Sequence, residues 1–311
     1  MSKKTNAAAQ PGRKTQGQLI WHQFKKNKGA VVGLIAFLAI VGLAIIALFI
    51  VDYDTQIAGM LIKDKLQKPS AAHIFGTDHL GRDVFLRVIY GAHYSLLIGF
   101  LGTGVSVLFG TLIGAVAGYF GGRLEWIIMR LVDVLMTIPT MLMATCVVAA
   151  FGISITNLIL AIGISTAPHF ARTARASVMT VRGNEYVEAA KAIGTNDFVI
   201  MFKHVMPNAL SPIIVQATNR VATCIIAAAS FSFLGLGVPS PLPEWGAMLS
   251  DAKPFMRTQP YLMIFPGLAI MITVLALNLI GCTRERIKVA NMLPAIFLPL
   301  LYFPIAGLFG A

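Results

Sequence analysis

Charge is scarce in this chain, and cysteine scarcer. Only 12% of the 311 residues are Asp, Glu, Lys or Arg, 13 of them acidic, while 57% are hydrophobic. A soluble core of this length could not hide so much apolar surface, which excludes a soluble globular protein. Cys146, Cys224 and Cys282 stand singly in apolar runs. That spacing excludes a disulfide framework and a thiolate metal site, and each reads as a small buried hydrophobe. No Gly-Lys dipeptide occurs anywhere in the sequence. A phosphate-binding loop of the form G-x-x-x-x-G-K-[ST] is therefore excluded as well.

What is present is a series of long apolar runs. Segments 31–51, 95–119, 127–151, 153–170, 210–233 and 261–282 each approach the ~20 residues that cross a bilayer as helix. The expected fold is an all-α membrane protein of about six transmembrane helices. The fourth run is the weakest, because Gly163, Pro168 and His169 interrupt it. The run at 31–51 is too long for a signal-peptide core and has no convincing cleavage site, so it reads as a retained anchor. The expected organisation is an N-terminal arm over 1–30, a first span over 31–51, an external loop over 52–94, a core of spans two to six over 95–282, and an apolar tail over 283–311.

Orientation follows from the basic residues, which accumulate on the cytoplasmic side. With the N-terminus inside, 17 of the 25 Lys and Arg fall in cytoplasmic segments and seven outside, with Arg220 inside the fifth span. Seven of the 13 acidic residues fall outside, so most of the +12 net charge lies on the inner face. Such a chain meets anionic headgroups rather than nucleic acid. The expected placement is in a membrane as a multi-pass protein with its N-terminus cytoplasmic.

The most ordered polar stretch is the loop 171–209. Asn184 is placed to cap a short helix running through Ile193, and Gly194 to end it in the left-handed conformation. Thr195 and Asn196 can start a second helix, Phe198 to Met206, which Pro207 is expected to stop. On the first helix Tyr186, Ala190 and Ile193 share one face, Glu185 and Glu188 another, and Ala189 and Ala190 permit close approach.

The stretch Glu188-Ala189-Ala190, then Gly194, then His204 to Pro207 resembles the cytoplasmic loop of membrane permeases of ATP-binding-cassette importers. The ending His204-x-x-Pro207-Asn208 resembles the dipeptide, oligopeptide and nickel branch. So do Phe75-Gly76-Thr77-Asp78-His79-Leu80-Gly81-Arg82-Asp83, Asp133 to Pro139, and Phe233 to Gly237 continuing to Pro243-Glu244-Trp245-Gly246. The resemblance covers roughly residues 20 to 282 and matches the second, C-type permease of the pair. It implies the type I importer fold and no catalytic or metal site in this chain. It also implies a heterodimer with a second permease, two cytoplasmic ATPases carrying ATP and Mg, and an extracytoplasmic substrate-binding protein. Residues of the loop, Glu185, Glu188, Ala189, Ala190, Gly194, His204, Pro207 and Asn208, would then dock on the ATPase. Gly76, Thr77, Asp78, Gly81, Arg82, Asp83, Glu244, Trp245 and Gly246 would shape the outer face toward the binding protein, with Trp245 suited to the interface. These outer residues also read as a well-ordered loop in its own right.

Ionisable groups within the spans are functional candidates by default. Arg220 lies about 15 Å deep at 1.5 Å per residue, and Asp133 about 9 Å. A structural Asp133–Arg220 pair and a cavity-facing Arg220 meeting a peptide carboxylate are both open readings. His73, His79 and His93 match no metal-site spacing, and Met129, Met136, Met141 and Met143 read as packing or lipid contacts. The tail departs from the resemblance. Pro294, Pro299 and Pro304 recur every five residues, which favours an irregular or interfacial segment over a seventh span, with a frameshifted end a third reading. A self-sufficient secondary transporter is the alternative function, and an intramembrane enzyme the third. The first usually shows internal repeats and the second needs a catalytic constellation. Neither is evident here.

Overall fold

The computed structural model describes residues 27–281. The tail at 283–311, Cys282 and nearly all of the N-terminal arm lie outside the described residues. Among the described residues nine α-helices carry the fold, and the one β contact is an isolated bridge between Thr77 and Asp83.

Helix α1 (Lys28–Ile50) opens on Asn27, whose Oδ1 accepts from the Ala30 amide at 3.3 Å. It buries only small residues, Ala30, Gly33, Ala44 and Ala47, while Phe49 and Ile50 stand out from the chain. That is the pattern of a helix solvated by lipid on most of its surface. Its small residues seat it on α9 (Tyr261–Gly281), where a Cβ on Gly33 would come within 2.7 Å of the Ala276 carbonyl.

Helix α2 (Val84–Phe120) is the central rod. Its 37 residues extend about 55 Å, well beyond the roughly 30 Å of hydrocarbon. It packs along α5 (Ile155–Arg182) by a small-residue seam. Gly102, Ser106, Gly110, Gly114 and Gly118 recur every four residues, and Cβ atoms at Gly110 and Gly114 would meet the carbonyls of Ala167 and Ala171 at 2.4 and 2.1 Å. Lipid is as apolar as leucine, so close packing and buried hydrogen bonds hold such helices together. Ser106 Oγ supplies the bond, donating to the Gly163 carbonyl at 3.0 Å.

The seam corrects one expectation. Pro168 and His169 do not end the fourth run, since α5 continues through both to Arg182. Packing along the full length of α2 outweighs the loss of one helical hydrogen bond, as membrane helices commonly allow. The run 127–151 departs the other way, as α3 (Gly122–Thr137) and α4 (Thr140–Phe151) bent by 92° around Pro139. A short α6 (Glu185–Ala192) follows α5, and α7 runs unbroken over Asp197–Phe233. Pro207 therefore does not stop its helix. The turn Ile200–Val205 widens to the i→i−5 pattern ahead of it, the Met206 amide donating to the Met201 carbonyl.

Helix α8 (Trp245–Ala252) folds back onto α7 and α9. Among the described residues four helices, α1, α2, α7 and α9, are long and apolar enough to cross a membrane, and α3 with α4 count as a fifth if the bent pair is one span. The expected sixth, α5, carries Arg172, Arg175 and Arg182 toward one end. Cys146 is exposed and Cys224 buried, so only the latter is a core hydrophobe.

Candidate functional site

The two polar regions singled out in the sequence lie at opposite ends of α2. At its C-terminal end, Tyr119 donates from its hydroxyl to Asp197 Oδ1 at 2.6 Å, and Lys191 Nζ stands 5.3 Å from the centre of the Tyr119 ring. Beneath α6, Val187 is fully buried with Ala115, Val178, Ile200, Met201, Val205 and Ala209. Val187 is the anchor that the sequence reading missed. The face carrying Tyr186 and Ile193 turns outward instead, at 43% and 83% exposed, and Ala190 lies at the boundary.

The turn after α6 has the expected form. Gly194 sits at φ +78°, and the amides of Gly194 and Thr195 close on the carbonyls of Lys191 and Ala190 at 2.9 and 3.2 Å. Asn196 Oδ1 then accepts from the Phe198 amide at 2.9 Å and starts α7. Asn184 enters α6 with extended backbone, and its carbonyl rather than its side chain accepts from Val187. Glu185, Glu188 and Ala189 are exposed, as are Phe198, Val199 and Phe202 on the first turns of α7. The result is an apolar patch with carboxylates beside it, on a helix whose reverse side is locked into the bundle. Farther along, Asn208 Nδ2 donates to the His204 carbonyl at 2.6 Å, bracing the backbone around exposed Pro207.

At the other end of α2 the outer segments form a dense polar cap. Asp78 is its hub: Oδ1 accepts from the amides of Leu80 and Arg82 at 2.8 and 2.9 Å, and Oδ2 from Arg82 Nε at 2.6 Å. Arg87 Nε lies 3.8 Å from the same Oδ2, and Asp251 on α8 reaches Arg82 Nη2 at 3.6 Å. Arg82 and Arg87 are each 2% exposed, so the ionic network replaces part of the water these charges have lost, while Arg82 Nη1 and Nη2 have no hydrogen-bond partner among the described residues. Thr77 Oγ1 accepts from the Gln67 amide at 2.9 Å and donates to the Asp64 carbonyl. Asp83 caps α2 through the Leu86 amide at 3.0 Å and also takes His73 Nδ1 at 2.8 Å. Gly76 and Gly81 hold positive φ, and a Cβ on Gly81 would sit 1.9 Å from the Leu61 carbonyl.

The second outer motif closes against the same rod. Glu244 caps α8 through the Ala247 amide at 2.8 Å, Ser95 Oγ donates to it at 3.4 Å, and burial pushes its carboxyl above the usual range. Trp245 is 1% exposed and donates from Nε1 to the Val88 carbonyl at 2.8 Å. It is a core residue of this chain, which corrects its reading as an interface side chain. Gly246 lets α8 touch α7, since a Cβ there would meet the Ala229 carbonyl at 2.4 Å.

The pair proposed within the membrane is replaced by another. Asp133 takes Arg172 Nη2 at 2.5 Å, with both side chains about half exposed, and no bond joins it to Arg220. Arg172 lies one turn beyond Pro168 on α5, and it comes into reach only because α5 continues through that proline. Arg220 Nε is buried with no hydrogen-bond partner. A second bridge, Glu125 with Arg175, ties α3 to α5 at 2.6 Å.

Comparison with known proteins agrees with this architecture. Residues 110–283 match the family described as the binding-protein-dependent transport system inner membrane component. Residues 15–69 match the N-terminal transmembrane domain of oligopeptide transport permease C. The dipeptide transport system permease protein DppC of Alkalihalophilus pseudofirmus is 44% identical over 259 residues, 83% of this chain and 84% of that protein. The glutathione transport system permease protein GsiD of Pectobacterium atrosepticum is 40% identical over 269 residues, covering 86% and 89%. A chain of the inward-facing MetNI methionine ABC transporter superposes with a TM-score of 0.52 at 17% identity, over 68% of this chain and 96% of that one, a likeness of fold. The chain belongs to the inner-membrane components of binding-protein-dependent transport systems, as an all-α permease of the type I ABC importer fold.

Proposed function

We propose that the chain is one of two permease subunits in an ATP-driven importer of short peptides, with the 171–209 loop as its coupling element. The observation that carries this reading is the build of α6. Val187 fixes its inner face to the bundle, while Tyr186, Ile193, Phe198 and Phe202 stand exposed beside Glu185 and Glu188, Phe198 meeting only the edge of Phe120 with its ring. Such a face suits a cleft on a cytoplasmic ATPase, which would supply the ATP and Mg chemistry. Helix α2 joins that loop to the outer cap, so a tilt at one end is transmitted to the other. The peptide class is supported by the relatives, named for dipeptide and for glutathione transport.

In this reading the N-terminus is cytoplasmic, a second homologous permease completes the path, and an external binding protein delivers substrate to the outer cap. The test is reconstitution in proteoliposomes. Peptide uptake should require ATP, both permeases, the ATPase pair and the binding protein together. Uptake by this chain alone, driven by an ion gradient, would refute the reading in favour of a secondary transporter.

A further inference from the structure

Within the membrane, Arg220 forms no ion pair among the described residues. It stands at the midpoint of the 28-residue segment Met206–Phe233 of α7, half-buried, with Nε enclosed and unpartnered. Among the described residues no carboxylate lies within ion-pair distance of it, since Asp133 is held by Arg172 and Glu125 by Arg175. Two neighbours are in the same condition. Gln216 Oε1 and Asn219 Oδ1 are also buried without a hydrogen-bond partner.

Helical spacing places Gln216, Asn219, Arg220 and Thr223 along one stripe of α7. Thr223 is exposed, whereas Val221, Ala222, Cys224 and Ile225 are buried in contacts with the rest of the bundle. The stripe therefore runs along the edge of the chain's own core, with Thr223 outermost and the polar atoms of Gln216, Asn219 and Arg220 enclosed beside it. The adjoining surface of α5 brings no acid, because what lies within electrostatic reach there is His169, itself acted on by both Arg220 and Arg172. A cation at this depth with no counter-charge is costly, and the amides beside it have unused hydrogen-bonding capacity.

We propose that Arg220, with Gln216 and Asn219, forms a transient binding site for the substrate's carboxylate halfway along the translocation path. Arg220 would bind the C-terminal carboxylate through charge-assisted hydrogen bonds, and the two amides would receive the adjacent peptide group. Transient occupancy suits transport, because a pore site must be attractive enough to enter and weak enough to leave. This inference rests on the peptide-importer reading.

The test uses the complete reconstituted complex and a radiolabelled peptide with a free C-terminus. In Arg220→Gln, uptake should fall about tenfold or more, as for loss of a charged hydrogen bond, with co-purification of the second permease retained. Arg220→Lys should recover part of the loss. A photoreactive p-benzoylphenylalanine replacing Thr223 should capture the peptide during ATP-driven turnover, and should fail to do so once Arg220→Gln is added. Wild-type uptake by Arg220→Gln would overturn the proposal, as would a Thr223 probe that never captures peptide. So would failure of Arg220→Gln to co-purify with the second permease, which would make a carboxylate of that subunit its partner. If the unaltered complex imports no peptide at all, the importer reading falls first and this inference with it.

Discussion

Replacing Gly194 separates two reasons why a glycine stands at the end of α6. The residue holds φ +78°, and a Cβ built on it would meet nothing within 4 Å of the chain. Any damage from a side chain is therefore conformational as far as this subunit is concerned. A left-handed conformation costs an ordinary residue roughly 1–2 kcal/mol, more when the side chain branches at Cβ, and little for asparagine. At about 2 kcal/mol the population of the correct turn falls roughly thirtyfold relative to its alternatives. The turn also fixes where Asn196 begins α7, through the closing bonds at Gly194 and Thr195. We expect Gly194→Asn to resemble wild type, Gly194→Ala to be intermediate, and Gly194→Val to lose most coupled uptake. Peptide uptake per ATP hydrolysed in the reconstituted complex is the measure, with unfolding temperature as the control for global damage. A ranking by size, with Asn as harmful as Val, would refute the conformational argument and show that a partner packs against the bare glycine. Wild-type coupling in Gly194→Val would refute the importance of the turn.

Three further outcomes follow from the geometry. Asp78→Asn removes the carboxylate 2.6 Å from Arg82 and 3.8 Å from Arg87, leaving two buried cations with only Asp251 nearby. It should destabilise the outer cap by about 3–5 kcal/mol, read as a lowered unfolding midpoint that Arg82→Gln in the same chain partly restores; an unchanged midpoint would contradict the network. Because burial raises the Glu244 carboxyl, the folded chain holds that proton more tightly than the unfolded one. Stability should therefore fall as pH rises from the ordinary carboxyl value through the raised one, and Glu244→Gln should flatten that slope in unfolding midpoints measured against pH. Charge exchange at the half-exposed Asp133–Arg172 pair, with both residues reversed, should recover uptake lost in Asp133→Arg or Arg172→Asp alone; no recovery would show that the pair acts through other contacts.

Much of the candidate site was legible in the sequence because it is built from local rules. The positive φ of Gly194 and the start of α7 at Asn196 follow from what each residue type permits over a few positions. The outward face of α6 was not legible. A helix of eight residues presents two plausible faces, and only the packing of Val187 against α2 and α7 decides between them. Trp245 was misjudged for a similar reason. An indole suits an interface and a core equally, and the Val88 carbonyl, far away in sequence, settles which.

By itself the sequence determined the class of the molecule. Its shortage of charge and its long apolar runs require a helical membrane protein, because only helices satisfy their own backbone within a span. Its basic bias sets the expected orientation, and its loop motifs point to the family. Tertiary structure decided what passes between elements. The recurrence of small residues from Gly102 to Gly118 becomes a seam only against α5, and that seam carries α5 through Pro168. It is α5 continued in this way that brings Arg172 to Asp133. Among the described residues Arg220 is thereby left without a carboxylate. Partner choice among charges depends on distances across helices, which no spacing along one chain encodes.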